Sequence, residues 1–305
     1  MSEGLQNFWL IVSKPDNVPI VLMIFLISFY CWLAYKQARR NDRYGIEEAK
    51  QADKVQVWPY LVKVEFLVTI IVMIILTVWS ITINAPLEEP ANPTLTPNPS
   101  KAPWYFLGLQ EMLVYFDPWI AGVMLPTFII IGLILVPYLD INPKGNGYYT
   151  FKDRPFAISI YSIGFLILWV ALIVLGTFMR GPGWYFFWPW EFWDTHRVVA
   201  LTNVDLFEKL FNVPTKNVDG SFNLIQVLLG GVLIIGYLVV LPMWVWKKYK
   251  DRSLILKAMG VWKYATTAAL FLMMAGLPIK MFLRLAFNIK YVWVFGFGHD
   301  LFFDI

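Results

Sequence analysis

Six long apolar runs constrain this chain more than any other feature of its sequence. Each run supplies roughly the 20 predominantly apolar residues that an α-helix needs to cross a bilayer. Only 15% of the residues are charged and the mean hydropathy is +0.58, whereas soluble domains carry about 25% charged residues. The sequence therefore predicts an all-α, polytopic membrane protein with spans at about Val18–Tyr35, Tyr60–Ile83, Trp119–Leu139, Phe156–Phe178, Leu224–Trp246 and Val261–Ile279.

Lysine and arginine are concentrated in three of the connections between these runs, after the first, third and fifth. The positive-inside rule places such connections in the cytoplasm. We therefore expect a multi-pass protein of a bacterial-type inner (cytoplasmic) membrane, with both termini on the positive (periplasmic) side. The basic residues serve topology and contact with lipids in this interpretation, so we expect no nucleic-acid partner. The N-terminus lacks the features of a removable signal peptide, and we expect it to be retained.

The C-terminal end departs from this charge pattern. Lys280, Arg284 and Lys290 follow the sixth run on the expected outer side. Because proline interrupts helical hydrogen bonding, Pro278 predicts the end of the sixth helix. The tail Met281–Ile305 is then expected to form an amphipathic interfacial helix and a strand-like end.

The connection between the second and third runs, Asn84 to Pro118, contains seven prolines and a mostly apolar segment, WYFLGLQEMLVY, at Trp104–Tyr115. This segment is too short to span a bilayer, and it predicts a short amphipathic helix along the membrane surface. On helical spacing Gly108, Glu111 and Tyr115 share one face. Apolar surroundings raise the pKa of a carboxyl group, so Glu111 is a candidate proton acceptor. The alternative is a glutamate that reaches water or caps a neighbour.

The pattern EPANPxxTPxxxxxxWYFLGLQEML at Glu89–Leu113, followed by LVPYLD at Leu135–Asp140, strongly resembles the C-terminal part of cytochrome b. It is also similar to subunit IV of the split plastoquinol-oxidising complexes. The likeness extends over roughly Val57–Phe178 and includes Trp58-Pro59 before the second span. The resemblance implies a membrane subunit of a cytochrome bc-type quinol oxidoreductase.

In that family the motif Pro-Glu-Trp-Tyr lines the positive-side quinol oxidation site, and Trp104 and Tyr105 match its second half. The resemblance thus implies a quinol-binding segment made of Pro103, Trp104, Tyr105, Phe106 and Gly108. Pro103 stands where the family has its proton-accepting glutamate. Our hypothesis is that Glu111, about two helical turns further on, replaces that glutamate as the catalytic base.

On the opposite side of the membrane, Phe66 aligns with a family aromatic residue near the negative-side quinone and haem pocket. Lys63 and Glu65 are candidates for proton uptake there. The alternative for both side chains is that they extend to the membrane interface without a catalytic role.

The family's haem-binding core uses two histidine pairs, whereas this chain has only His196 and His299. The resemblance therefore implies that haem b resides on a partner similar to the N-terminal part of cytochrome b. The single cysteine, Cys31, excludes a CxxCH haem attachment and a cysteine-ligated cluster, so we expect no covalently bound cofactor and no metal site. A Rieske iron–sulfur protein or its equivalent and a c-type cytochrome are the other expected partners. An altered site is compatible with menaquinol as the quinol.

These expectations divide the chain into an N-terminal span with its loop (1–56), the cytochrome b-like segment (57–178) and a C-terminal part (179–305). The last part contains eight aromatic residues at Trp184–Trp193, which fit either an aromatic belt or a docking surface. We expect a subunit of a quinol–cytochrome c type oxidoreductase that is not catalytic alone. The alternative is a non-catalytic scaffold with a vestigial quinone site. The scarcity of midplane charges and the lack of repeats disfavour a transporter.

Overall fold

A computed structural model describes residues 3–45, 47–48, 56–84, 87, 90–141, 148–199, 203–297 and 300–305. The helices are α1 (Glu3–Val12), α2 (Val18–Tyr44), α3 (Val57–Thr82), α4 (Trp104–Met112), α5 (Ile120–Leu139), α6 (Pro155–Met179), α7 (Leu206–Phe211), α8 (Leu224–Tyr249) and α9 (Leu254–Phe287). The strands are β1 (Val204–Asp205), β2 (Ile289–Tyr291), β3 (Val294–Phe297) and β4 (Asp300–Asp304).

Six of these helices, α2, α3, α5, α6, α8 and α9, are long and apolar enough to cross a membrane. This confirms the predicted all-α polytopic fold, and α4 is the short helix expected after the second span. The apolar side chains of the spans are largely exposed, and none of the most apolar window of α3 is buried within the chain. Such surfaces suit contact with lipid or with other membrane helices.

The expectation that Pro278 ends the sixth span is wrong, because α9 continues through it to Phe287. Proline is tolerated inside membrane helices, where neighbouring groups can satisfy the freed backbone. The backbone instead leaves helical geometry at Gly260, whose φ of 68° favours glycine. The helix ends at Asn288, which adopts the left-handed conformation typical of a helix C-terminus. The strand-like end is present as β2 to β4.

The chain divides into two compact units. The first comprises Met1–Ser100, Lys144–Ile163 and Phe178–Thr195. Within it, the Asn41 side chain donates a 2.9 Å hydrogen bond to the Tyr149 carbonyl. The Asp42 carboxylate accepts from the backbone N–H groups of Phe151 and Lys152. These bonds connect the end of α2 to the segment before α6.

The second unit comprises Lys101–Pro143, Gly164–Thr177 and His196–Ile305. Its core contains Met112, Tyr115, Phe116, Ile120, Ala121 and Leu172. The Tyr237 hydroxyl connects α8 to α9 by a 2.7 Å bond to the Leu272 carbonyl. Strand β1 pairs in parallel with β2, and β3 pairs antiparallel with β4. The Trp293 indole N–H donates to the Val227 carbonyl of α8, which places the β2–β3 connection on that helix.

Candidate functional site

Helix α4 begins directly after Pro103, whose carbonyl accepts the 2.8 Å bond from the Phe106 N–H. Proline has no N–H to satisfy and suits the start of a helix. The buried side of α4 packs closely on α6 at two glycines. A Cβ atom at Gly108 would lie 3.2 Å from the Trp169 ring, and one at Gly176 would lie 3.3 Å from the Leu107 carbonyl oxygen. Both glycines therefore allow an approach that a side chain would obstruct.

Glu111 is completely buried within the chain, with 0% of its surface exposed. Tyr115 is 1% exposed, and its hydroxyl donates a 2.9 Å hydrogen bond to Glu111 Oε1. Glu111 does not reach solvent from within the chain, which disfavours the alternative in which it simply extends to water.

The predicted quinol-binding aromatics lie at the start of α4 and are half-exposed. Trp104, Tyr105 and Phe106 are 37%, 51% and 49% exposed, and successive rings are in contact. At about 100° per residue, Trp104 falls on the same side of the helix as Glu111, seven positions later. Tyr105 and Phe106 fall roughly 120–140° away from Glu111 by the same spacing. The structure thus brings Trp104, Gly108 and Glu111 onto one face and leaves Tyr105 and Phe106 on another.

Two hydrogen bonds hold the segment that precedes α4, and sequence reasoning did not identify them. Lys101 Nζ donates a 2.8 Å bond to the Thr177 carbonyl of α6. The Gln110 side-chain oxygen accepts a 2.8 Å bond from the Ala102 N–H. The sequence signal was that Lys101 is the only basic residue between Asn84 and Pro118. These bonds fix the loop to both helices.

A group of ionisable side chains surrounds the turn between α4 and α5, and sequence reasoning missed it too. Lys290 Nζ lies 2.8 Å from Asp117 Oδ1, and the Tyr291 hydroxyl lies 3.4 Å from the same oxygen. Asp304 is 7% exposed and hydrogen-bonds Asp117. Burial, then the hydrogen bond to Asp117 and the charge of Asp117, raise the pKa of Asp304 to about 7.

The pKa of Asp117 is shifted in the opposite direction from that of Asp304. Burial alone would raise it, but hydrogen bonds with Asp304 and Lys290 and the positive charge of Lys290 outweigh burial and lower the pKa. The only sequence signal for this cluster was the excess of basic residues, Lys280, Arg284 and Lys290, on the expected outer side.

The candidates for the negative-side pocket stand apart from these groups along the chain. Lys63, Glu65 and Phe66 are exposed on the first turns of α3, and Phe66 is 66% exposed. Their contribution to a negative-side quinone pocket stays a prediction. His196 is exposed in a turn, and His299 lies outside the described residues.

Residues 90–182 match the family described as cytochrome b (C-terminal)/b6/petD. The matched segment contains α4, α5, α6, the Trp104–Gly108 segment and Glu111. No solved structure matches the chain. The match confirms the resemblance for this segment of the sequence, and together with the six spans it indicates a multi-pass membrane subunit of a cytochrome bc- or b6f-type complex.

Proposed function

We propose that this chain forms part of the positive-side quinol oxidation site of a quinol:cytochrome c type oxidoreductase. The other part of the site is supplied by a partner that carries haem b and resembles the N-terminal part of cytochrome b. The observation that carries the proposal is the face of α4 that contains Trp104 and Glu111, within a segment that matches the cytochrome b family. We also propose that the complex lies in a bacterial-type cytoplasmic membrane, with this site on the periplasmic side.

The quinol ring is held at the start of α4. Pro103 fixes the helix start, and Trp104, Tyr105 and Phe106 offer flat apolar surfaces that suit an aromatic headgroup. Lys101 and Gln110 anchor the loop, so that these rings are positioned before the quinol arrives. Positioning of this kind lowers the barrier to reaction because less freedom is lost in the transition state.

Glu111 accepts a proton from a quinol hydroxyl. Oxidation of a quinol releases protons together with electrons, and Pro103 has no side chain that can accept one. Glu111 is the nearest carboxylate along the same face of α4. The Tyr115 hydroxyl orients the carboxylate through its bond to Oε1. A Rieske iron–sulfur protein or its equivalent and haem b on the partner subunits would take the electrons, and a c-type cytochrome would be the final acceptor.

Menaquinol is the proposed quinol, since the absence of the motif glutamate marks a site that differs from the family pattern. On the negative side, Lys63, Glu65 and Phe66 are proposed to line a quinone pocket that is completed by the partner. Their exposure on α3 is compatible with contact with a second subunit.

The second candidate function is a scaffold subunit with a vestigial site. Two observations favour it: Pro103 replaces the family's glutamate, and Glu111 is fully buried within the chain. In that case the aromatic segment would pack against the partner and no quinol would bind there.

Photo-crosslinking with an azido-menaquinone analogue in the purified complex distinguishes the two functions. The proposal predicts labelling of the Trp104–Phe106 peptide that is competed away by excess menaquinol. Labelling of the exposed pair Trp188 and Trp190, which stack at 5.2 Å, serves as the control for non-specific attachment. The opposite result is an intact complex in which excess menaquinol reduces labelling of the Trp104–Phe106 peptide no more than labelling of this control. That result would establish the scaffold function.

A further inference from the structure

The C-terminal tail brings ionisable groups to the turn that follows α4. Asp117 lies in that turn, whereas Lys290, Tyr291 and Asp304 come from β2 and β4. The Asp117–Lys290 pair and the Asp117–Asp304 hydrogen bond join segments that are separated by more than half of the chain. The tail lies outside the matched segment 90–182, so the family match does not account for this arrangement.

The cluster is largely shielded from solvent. Asp304 and Lys280 are 7% and 6% exposed, and the Asp117 and Lys290 side chains are 19% and 15% exposed. Lys280 Nζ donates to the Lys290 carbonyl and lies 5.3 Å from the centre of the Phe116 ring. Buried charges persist in proteins when they are paired and hydrogen-bonded, and here two lysines accompany two carboxyl groups.

Asp117 and Asp304 are close enough to share one proton. Two carboxyl groups can hydrogen-bond each other only if one of them is protonated, since two ionised carboxylates repel. The titration belongs to the pair and not to either residue alone. The pKa of about 7 for Asp304, raised first by burial and then by its bond to Asp117, places proton uptake and release near neutral pH. The other charged and titratable groups that act on the pair are Lys280, Lys290 and Tyr291.

The pair adjoins the core that surrounds Glu111. Asp117 follows Tyr115, the hydrogen-bond partner of Glu111, by two residues. Phe116, between them, contacts Lys280. Ile305, which follows Asp304, packs against the core that contains Met112 and Tyr115. The tail that carries Asp304 thus reaches the core that contains Tyr115, the hydrogen-bond partner of Glu111.

We propose that the Asp117–Asp304 pair receives the proton that Glu111 takes from the quinol and holds it until it is released on the outer side of the membrane. This inference rests on the proposed function. In the step, one proton leaves the Glu111 carboxyl group and one O–H bond forms on the doubly ionised pair, whose charge changes from −2 to −1. The electrons leave separately to the redox centres of the partner subunits. Lys280 and Lys290 are positioning residues that stabilise the ionised pair.

The test compares D304N with D219N in the purified complex. Asp219 is exposed on the segment before α8, where it accepts hydrogen bonds from Ser221, so D219N is a matched control. Infrared titration is expected to show a protonated-carboxyl band that disappears near pH 7 in the wild type and D219N. The band should be lost in D304N. Absence of the band from the wild type would overturn the proposal, and so would its persistence in D304N.

The pH profile of menaquinol oxidation distinguishes a relay from a structural role. The pair accepts a proton only when it is ionised, so the wild-type rate should rise with pH through about 7. D304N should lose this rise of the rate with pH. D304E, which restores a carboxyl group, should recover it. A D304N complex that is slower at every pH but still shows the rise of the rate through about pH 7 would overturn the relay.

Failure of the relay and failure of the proposed function give different results. A wild-type complex that shows the carboxyl band but oxidises no quinol contradicts the proposed function and, with it, the relay. A complex whose quinol oxidation depends on Glu111 but keeps its profile in D304N contradicts the relay alone. If D304N does not assemble, the wild-type infrared titration and the D304E profile remain decisive.

Discussion

The Tyr115 hydroxyl donates a 2.9 Å hydrogen bond to Glu111 Oε1, and both side chains are completely buried within the chain. Tyr115 lies in the turn that follows α4, so the bond joins that turn to the last turn of the helix. The turn is also closed by the Tyr115 N–H, which donates to the Met112 carbonyl. The orientation of the Glu111 carboxylate therefore depends on how the chain leaves α4.

Y115F removes the hydroxyl and keeps the ring. A side-chain hydrogen bond contributes about 0.5–1.5 kcal/mol to stability, and its loss should lower the Tm of the complex and the rate of quinol oxidation together. Y138F is the control, because Tyr138 is 71% exposed on α5. Thermal unfolding and steady-state kinetics of both variants provide the measurement. Equal behaviour of Y115F and Y138F would show that the bond to Glu111 is unimportant.

G108A introduces a methyl group 3.2 Å from the Trp169 ring. Forcing additional atoms into a well-packed contact costs about 1–3 kcal/mol, and we expect α4 to shift away from α6. G122A serves as the control, because a Cβ at Gly122 would meet no atom within 4 Å. Thermal unfolding should show a lower Tm for G108A than for G122A. If both variants match the wild type, α4 does not pack on α6 as described.

K101M removes the bond between Lys101 Nζ and the Thr177 carbonyl. The loop before α4 loses one of its two anchors, and the quinol-binding aromatics become less well positioned. We expect the KM for quinol to increase, with a smaller effect on kcat, because binding is affected more directly than proton transfer. K257M, an exposed lysine of α9, should leave both constants unchanged. A K101M enzyme with the wild-type KM would indicate that the anchor does not contribute to binding.

The raised pKa of Asp304 makes stability depend on pH. Its pKa is about 7 in the folded chain against 3.8 ordinarily, so its stabilising contribution is fully present below about pH 4 and is lost as pH rises through about 7. The lowered pKa of Asp117 acts in the opposite direction, but only as pH falls through its folded value, below 3.8. The decrease in Tm between pH 5 and pH 8 should therefore be smaller in D304N than in D219N. Equal decreases in the two variants would contradict the pKa assignment.

The sequence predicted the elements of the fold that depend on local composition. The six spans follow from the length of the apolar runs, and α4 follows from an apolar segment too short to cross a bilayer. The placement of Gly108 and Glu111 on one face follows from helical spacing alone. The resemblance carried by Glu89–Leu113 was confirmed for residues 90–182.

The features that the sequence did not predict depend on contacts between distant segments. Pro278 breaks a helix in water, but the continuation of α9 depends on its membrane and packing environment. The Asp117–Tyr291 bond joins residues 174 positions apart, and no local pattern specifies such a pairing. The anchoring of Lys101 on Thr177 likewise depends on how α4 packs against α6, which is a tertiary property.

The most direct test of the proposed function is the pH dependence of menaquinol oxidation by the E111Q complex. E208Q is the matched control, because Glu208 is exposed on α7. Glutamine has nearly the shape of glutamate but cannot accept the proton, and a positioned acid or base contributes about 10²–10⁴-fold to a rate. We expect an assembled E111Q complex whose oxidation rate falls by at least about 100-fold, while E208Q keeps the wild-type profile. An assembled E111Q complex with the wild-type rate and pH profile would contradict the assignment of Glu111 as the base.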